Sequence, residues 1–326
     1  MSGSDIADSH TRFRYGPGLD QSSTSQTSRG ISEAKDMGRG MTRRDAIFRA
    51  GAAALGSTVL SKLGRADGLD RVVKKGALKQ SVSRWCYERI PMDDFCRAVA
   101  DIGLTAIDLL EAKDWGKVRE YGLICSMGYA GGGTIPDALN VRANHDAIVK
   151  NFEHYLPLAA KAGVTNAITF FGNRRGLSDS EGIDNCTAGL NRVKKIAEDN
   201  GITVCVELLN SKVDHHDYQG DHAAFGVEVM KRVGSPRVKL LYDIYHMQIM
   251  EGDIIRTIRD NQQYIGHYHT GGVPGRHEID GTQELNYQAV CKAIVETGFK
   301  GYLAHEFVPT HDPLTSLREA VALCDV

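Results

Sequence analysis

Glu207, Asp243, His269 and Glu306 follow one another at intervals of 36, 26 and 37 residues. Each stands near the end of a short apolar run: TVCVELLN, VKLLYDIYHMQ, YIGHYHTGG and GYLAHEF. A carboxylate inside such a run is costly to bury unless it is paired or liganded. Three carboxylates and an imidazole brought to one point would repel one another without a cation. The set therefore predicts a divalent metal site. Its oxygen-rich donors predict manganese, magnesium or cobalt rather than a thiolate-bound zinc. Spare coordination positions would take two adjacent oxygens of a substrate.

Elements of about one strand-helix unit each must carry these residues. From Leu78 to Val326, 249 residues, short β-branched or apolar runs alternate with amphipathic stretches of helical length. The runs predict strands over 80–86, 106–110, 123–129, 167–171, 203–209, 238–244, 264–270 and 301–307. Helices are predicted over 93–102, 144–162, 180–200, 221–233 and 287–297, each followed by a glycine stop at Gly103, Gly163, Gly201, Gly234 or Gly298. Eight such units in this length predict an α/β fold: a single-domain (β/α)8 TIM barrel over 78–326, with catalytic residues at the carboxyl ends of the strands. A doubly wound sheet would carry a Gly-rich phosphate loop after its first strand. Here that place holds Tyr87-Glu88-Arg89-Ile90-Pro91. Gly131-Gly132-Gly133 has neither the lysine nor the GxGxxG frame of a phosphate loop and reads as a flexible loop.

Strand parity sorts the histidines. His267 and His269 point the same way, two residues apart. His269 is nearer the mouth and is the better ligand. His267 lies one layer deeper, as a contact behind the ligands or to substrate. His305 has the opposite parity to Glu306 and is expected to pack against the helices.

At these residues the chain resembles the hydroxypyruvate isomerase family, within the xylose isomerase-like barrel superfamily. The segments LLYDIYHMQIMEGD (240–253) and IGHYHTGGVPGRHEIDGTQELNY (265–287) carry the resemblance, which runs over most of 80–326. It implies that Glu207 and Glu306 are an acid/base pair as well as metal ligands, and that Asp243 and His269 complete the metal shell. It also implies that His246 touches a substrate oxygen and that Arg276 reaches the mouth from the loop after the seventh strand. His269 departs from the pattern, since hydroxypyruvate isomerases often have Gln there. Histidine is closer to the related ketose 3-epimerases.

The chemistry implied is proton transfer next to a carbonyl, through an enediolate whose charge a cation holds. One carboxylate takes the proton and the other returns it, at a neighbouring carbon for isomerisation or on the other face for epimerisation. The leading expectation is interconversion of hydroxypyruvate and tartronate semialdehyde, or of a similar small hydroxy-carbonyl compound. A ketose 3-epimerase or other sugar isomerase is the alternative, and an endonuclease IV-like metal hydrolase is a remote one. A non-catalytic sugar-binding barrel does not suit the intact ligand set. Arg276 could fork onto a substrate carboxylate. Arg174 and Arg175, after the fourth strand, would make the mouth cationic. Lys212, His215 and His216 are read as lid or substrate contacts, and Trp85 and Tyr87 as pocket walls or core.

Residues 1–40 contain only Ile6, Phe13, Leu19 and Ile31 among Val, Ile, Leu and Phe, and are expected to be a disordered tail. Residues 41–77 read as a twin-arginine-like signal and linker, with Arg43-Arg44 before the mildly apolar AGAAALGSTVLSKL (50–63). Ala46 stands where that signal prefers Phe, and no clean A-x-A site follows. Met37 and Met41 are alternative starts. The expected location is the periplasm, reached through the twin-arginine export machinery, and otherwise the cytoplasm. Seven scattered cysteines without a CxxC argue against a zinc knuckle or a disulfide scaffold. A net charge of -2 gives no electrostatic case for nucleic acid, and no long apolar run predicts a stable membrane span. The partners expected are a small-molecule substrate and, in a homo-oligomer, further copies of the chain.

Overall fold

The computed structural model describes residues 71–326. The expected tail and the paired arginines with their apolar segment lie outside the described residues.

Eight parallel strands close into a barrel in chain order. They are β1 (Lys79–Ser83), β2 (Ala106–Leu110), β3 (Ile124–Gly132), β4 (Asn166–Phe170), β5 (Thr203–Glu207), β6 (Val238–Asp243), β7 (Ile265–Thr270) and β8 (Tyr302–His305). All eight lie where the β-branched and apolar runs predict them. Four differ in extent by two or more residues: β5 ends at Glu207 and β8 at His305, each two residues short of its run, and β1 and β3 differ more. β1 stops at Ser83 because the next four residues wind into a 3-10 turn, Arg84–Tyr87. The Arg84 guanidinium folds back onto the carbonyl oxygens of Tyr87 and Ile90 to hold that turn. β3 runs on to Gly132, which pairs with Thr169, so Gly131 and Gly132 belong to the strand rather than to a flexible loop. A Cβ at Gly132 would come within 2.6 Å of the Ile168 carbonyl oxygen, which explains the glycine.

The helices are α1 (Met92–Ile102), α2 (His145–Ala162), α3 (Asp179–Asn200), α4 (Ala223–Val233), α5 (Ile244–Met250), α6 (Ile254–Asn261), α7 (Tyr287–Glu296) and α8 (Pro313–Cys324). In α1 the predicted face of Phe95, Val99 and Ile102 is buried against the barrel. Each such side chain contributes about 2 kcal/mol of burial. α3 opens on a capping box between Ser178 and Glu181 and ends at Gly201 in the left-handed conformation, φ 67°. Between β2 and β3 the described chain has a 3-10 segment, Lys117–Tyr121, in place of an α-helix. α5, α6 and α8 are elements that periodicity did not bring out. α5 is only seven residues long and buries Ile244, Tyr245, His246, Met247 and Met250, so it shows no polar face to read.

The barrel's contacts begin before Leu78. The Val72 amide donates to the Ile102 carbonyl at 2.8 Å, and the Asp325 carboxylate accepts from the amides of Lys74, Lys75 and Gly76. No helix among the described residues is long and apolar enough to cross a membrane.

Candidate active site

Glu207 is the last residue of β5, Asp243 the last of β6, His269 the last but one of β7, and Glu306 follows directly on β8. The register sets Asp243 beside His269 across β6 and β7. One ligand atom from each of the four residues lies within 4.8 Å of the others, and all four are buried. The His269 Nδ1 atom is 3.4 Å from Glu207 Oε1, 3.8 Å from Asp243 Oδ2 and in close contact with Glu306 Oε2. It has no hydrogen-bond partner. The other ring nitrogen, Nε2, lies 2.9 Å from Asp108 Oδ2. An unpartnered imidazole nitrogen facing three carboxylates, in a set of oxygens plus one imidazole, fits a divalent cation.

The carboxyls are not equivalent. Burial pushes Glu207 up to about 7, against the pull of His269 and with Glu306 and Asp243 adding to the rise. Burial acts on Glu306 too, but His269 and the Arg276 guanidinium overcome it and bring that carboxyl down to about 2. Two fixed donors grip Glu306: Trp85 Nε1 at 2.5 Å from Oε1 and Arg276 Nη2 at 2.6 Å from Oε2. Trp85 thus serves as a hydrogen-bond donor to a site residue. Tyr87 stacks on Phe95 in the core, with ring centroids 5.2 Å apart.

Arg276 reaches the site as expected, but its donors are spent on the protein. Nη2 also bonds Asp243 Oδ2 at 2.7 Å, Nε bonds the Glu306 carbonyl at 3.0 Å, and Nη1 bonds His246 Nε2 at 2.6 Å. The guanidinium lies over the Tyr245 ring, 4.9 Å from its centroid. Burial and the Arg276 guanidinium beside Nε2 push the basicity of His246 well down. The Nδ1 atom packs 2.6 Å from the Asn210 amide. Both ring nitrogens of His246 are therefore occupied by protein groups.

His267 is fully buried one layer below the carboxylates, with Nε2 3.2 Å from Asp108 Oδ1 and Nδ1 3.4 Å from the Asn166 amide. It stands behind the ligands and does not line the mouth. His305 packs as parity predicts, Nε2 bonding Gln80 Oε1 at 2.8 Å, and burial lowers it to about 3. The expected cationic mouth is not assembled. Arg174 pairs with Asp179 and Asp221, Arg175 with Asp137, and Lys212 bonds the carbonyls of Ile249 and Met250 at the end of α5. His215 lies near the site, its ring centroid 5.3 Å from that of His246, while His216 is exposed with Nδ1 3.2 Å from the Ser211 carbonyl. Sequence reasoning missed Asp108. It is an acid in the apolar strand AIDLL, the same signal that marked Glu207 and Asp243.

A family model described as "Xylose isomerase-like TIM barrel" matches residues 96–325. The chain is 35% identical over 109 residues to the 2-oxo-tetronate isomerase of Cupriavidus necator, covering 33% of this chain and 41% of that protein. It is 34% identical over 114 residues to the hydroxypyruvate isomerase of Escherichia coli, covering 34% of this chain and 44% of that protein. The chain thus spans less than half the length of these curated relatives. Among solved structures, an AP endonuclease, family 2, from Brucella melitensis superposes with a TM-score of 0.67 at 22% identity, over 74% of this chain and 97% of that one. The D-psicose 3-epimerase of Clostridium cellulolyticum H10 superposes with a TM-score of 0.63 at 19% identity, over 76% of this chain and 97% of that one. Both show the same fold.

Proposed function

The chain belongs to the xylose isomerase-like TIM barrel family, and on that premise we propose that it is a metal-assisted isomerase of small hydroxy-carbonyl compounds, working by proton transfer through an enediolate. The observation that carries this reading is the unpartnered His269 Nδ1 facing Glu207, Asp243 and Glu306. These four residues hold the cation. When bound, the cation offsets the carboxylate charges, polarises the carbonyl and steadies the developing negative charge.

The protein groups assign the proton transfers. Glu306, kept ionised by Arg276 and Trp85, takes the proton next to the carbonyl. Glu207, which holds a proton more readily, returns one at the neighbouring carbon or on the opposite face. Arg276 and His246 hold the carboxylates in place. Burial of the four residues keeps bulk water from protonating the intermediate at the wrong position.

The name of the Escherichia coli relative supports hydroxypyruvate as the substrate, with tartronate semialdehyde as the product expected of it, and that of the Cupriavidus necator relative supports the similar 2-oxo-tetronate. The commitment of Arg276 to Asp243, Glu306 and His246 favours a second reading, an uncharged ketose epimerised next to its carbonyl. A guanidinium already engaged at every nitrogen has no fork to offer a substrate carboxylate.

The test is to incubate the full chain and Mn2+ with hydroxypyruvate and a panel of ketoses in D2O, followed by chromatography and mass spectrometry. Turnover with deuterium fixed at the carbon next to the carbonyl is expected. Turnover without deuterium, or none on any substrate, contradicts the reading. Arg276→Ala separates the two substrate classes. A loss on hydroxypyruvate far exceeding the loss on ketoses restores an anion-clamp role, and similar losses on both support its role in holding carboxylates.

A further inference from the structure

We propose that Asp108 is a positioning residue that determines which nitrogen of His269 faces the cation site. The inference rests on reading Glu207, Asp243, His269 and Glu306 as that site.

Asp108 is on β2 and His269 on β7, strands that are not neighbours in the closed order, so their contact crosses the barrel interior. Asp108 is fully buried, and such a carboxylate persists as an anion only when donors surround it. His267 Nε2 lies 3.2 Å from Asp108 Oδ1 but makes no hydrogen bond there. The Ser126 hydroxyl donates to the same oxygen at 2.5 Å.

Asp108 Oδ2 remains to be satisfied, and His269 Nε2 lies 2.9 Å from it. An anion acting only as acceptor requires the proton of His269 on Nε2. In the neutral ring this leaves the lone pair on Nδ1, the nitrogen that faces Glu207, Asp243 and Glu306.

Two measurements on the full chain test this. The first is calorimetric titration with Mn2+ of the wild type and of Asp108→Asn. The wild type should bind one ion, and the variant about 10–100-fold more weakly, the usual cost of losing a ligand's outer partner. Equal affinities overturn the proposal. Absence of binding by the wild type sinks the cation-site reading itself, and this inference with it. The second is 1H–15N NMR of the Mg2+-loaded wild type, with His269 assigned by its loss in His269→Gln. A hydrogen-bonded proton on Nε2 is expected. A proton on Nδ1 overturns the proposal, and this readout holds even where Asp108→Asn fails to fold.

Discussion

Glu207 and Glu306 face one histidine nitrogen from different strands, yet their surroundings pull their protons apart. Glu306 accepts from Trp85 and Arg276 and stays ionised, whereas burial dominates at Glu207 and raises it to about 7. A pair separated in this way can divide the taking and the returning of a proton. Glu207→Gln and Glu306→Gln should each lower kcat about 10²–10⁴-fold while leaving the thermal unfolding midpoint near that of the wild type. Full turnover by either variant would remove that residue from the chemistry. The four ligand residues were legible because each is a polar residue closing an apolar run, at intervals matching one strand-helix unit. Asp108 carries the same signal but sits inside its run rather than closing it, and its partners His269, His267 and Ser126, from β7 and β3, gather only when the barrel closes. The engagement of Arg276 was hidden for the same reason: the sequence shows a loop arginine, and only the fold shows which oxygens it meets.

At the scale of elements, the loop after β7 must hold Arg276 over the site, and Glu278 fastens that loop to the one after β8. Its carboxylate accepts from the Thr310 and His311 amides and from the Thr310 and Ser316 hydroxyls. Burial opposes its charge, but these donors bring the Glu278 carboxyl down to about 2. The folded value is below the ordinary value of 4.5, so its contribution to stability is complete above about pH 4.5 and is lost as the pH falls towards 2. Glu278→Ala should cost about 3 kcal/mol in urea unfolding at pH 7 and lower kcat through a loosened Arg276. A neutral result on both would show that the two loops hold each other without it. The strands and five of the helices, α1, α2, α3, α4 and α7, could be read because each keeps one period over enough residues and all five are closely followed by a glycine. α5 and the 3-10 segment at Lys117–Tyr121 could not, being short and governed by tertiary contacts rather than by periodicity.

For the whole molecule, the closed barrel converts scattered polar residues into one buried interior, and acid exposes what that burial costs. His305 is fully buried, and burial lowers it to about 3 from its ordinary 6.5. The unfolded chain therefore binds a proton there before the folded one does. The associated stability is full above about pH 6.5 and declines as the pH falls towards 3, by about 3 kcal/mol between pH 7 and pH 4. Urea unfolding at the two pH values should show a smaller acid loss in His305→Gln than in the wild type. Identical losses would place the acid sensitivity elsewhere. The central claim is that a cation held by Glu207, Asp243, His269 and Glu306 is required for isomerisation of a small hydroxy-carbonyl compound. Its most direct test is turnover by the full chain after metal has been stripped, followed as Mn2+ is returned in steps. The account predicts no turnover when stripped and full recovery at one equivalent. Turnover that survives stripping, or that fails to return with Mn2+, Mg2+ or Co2+, would contradict it.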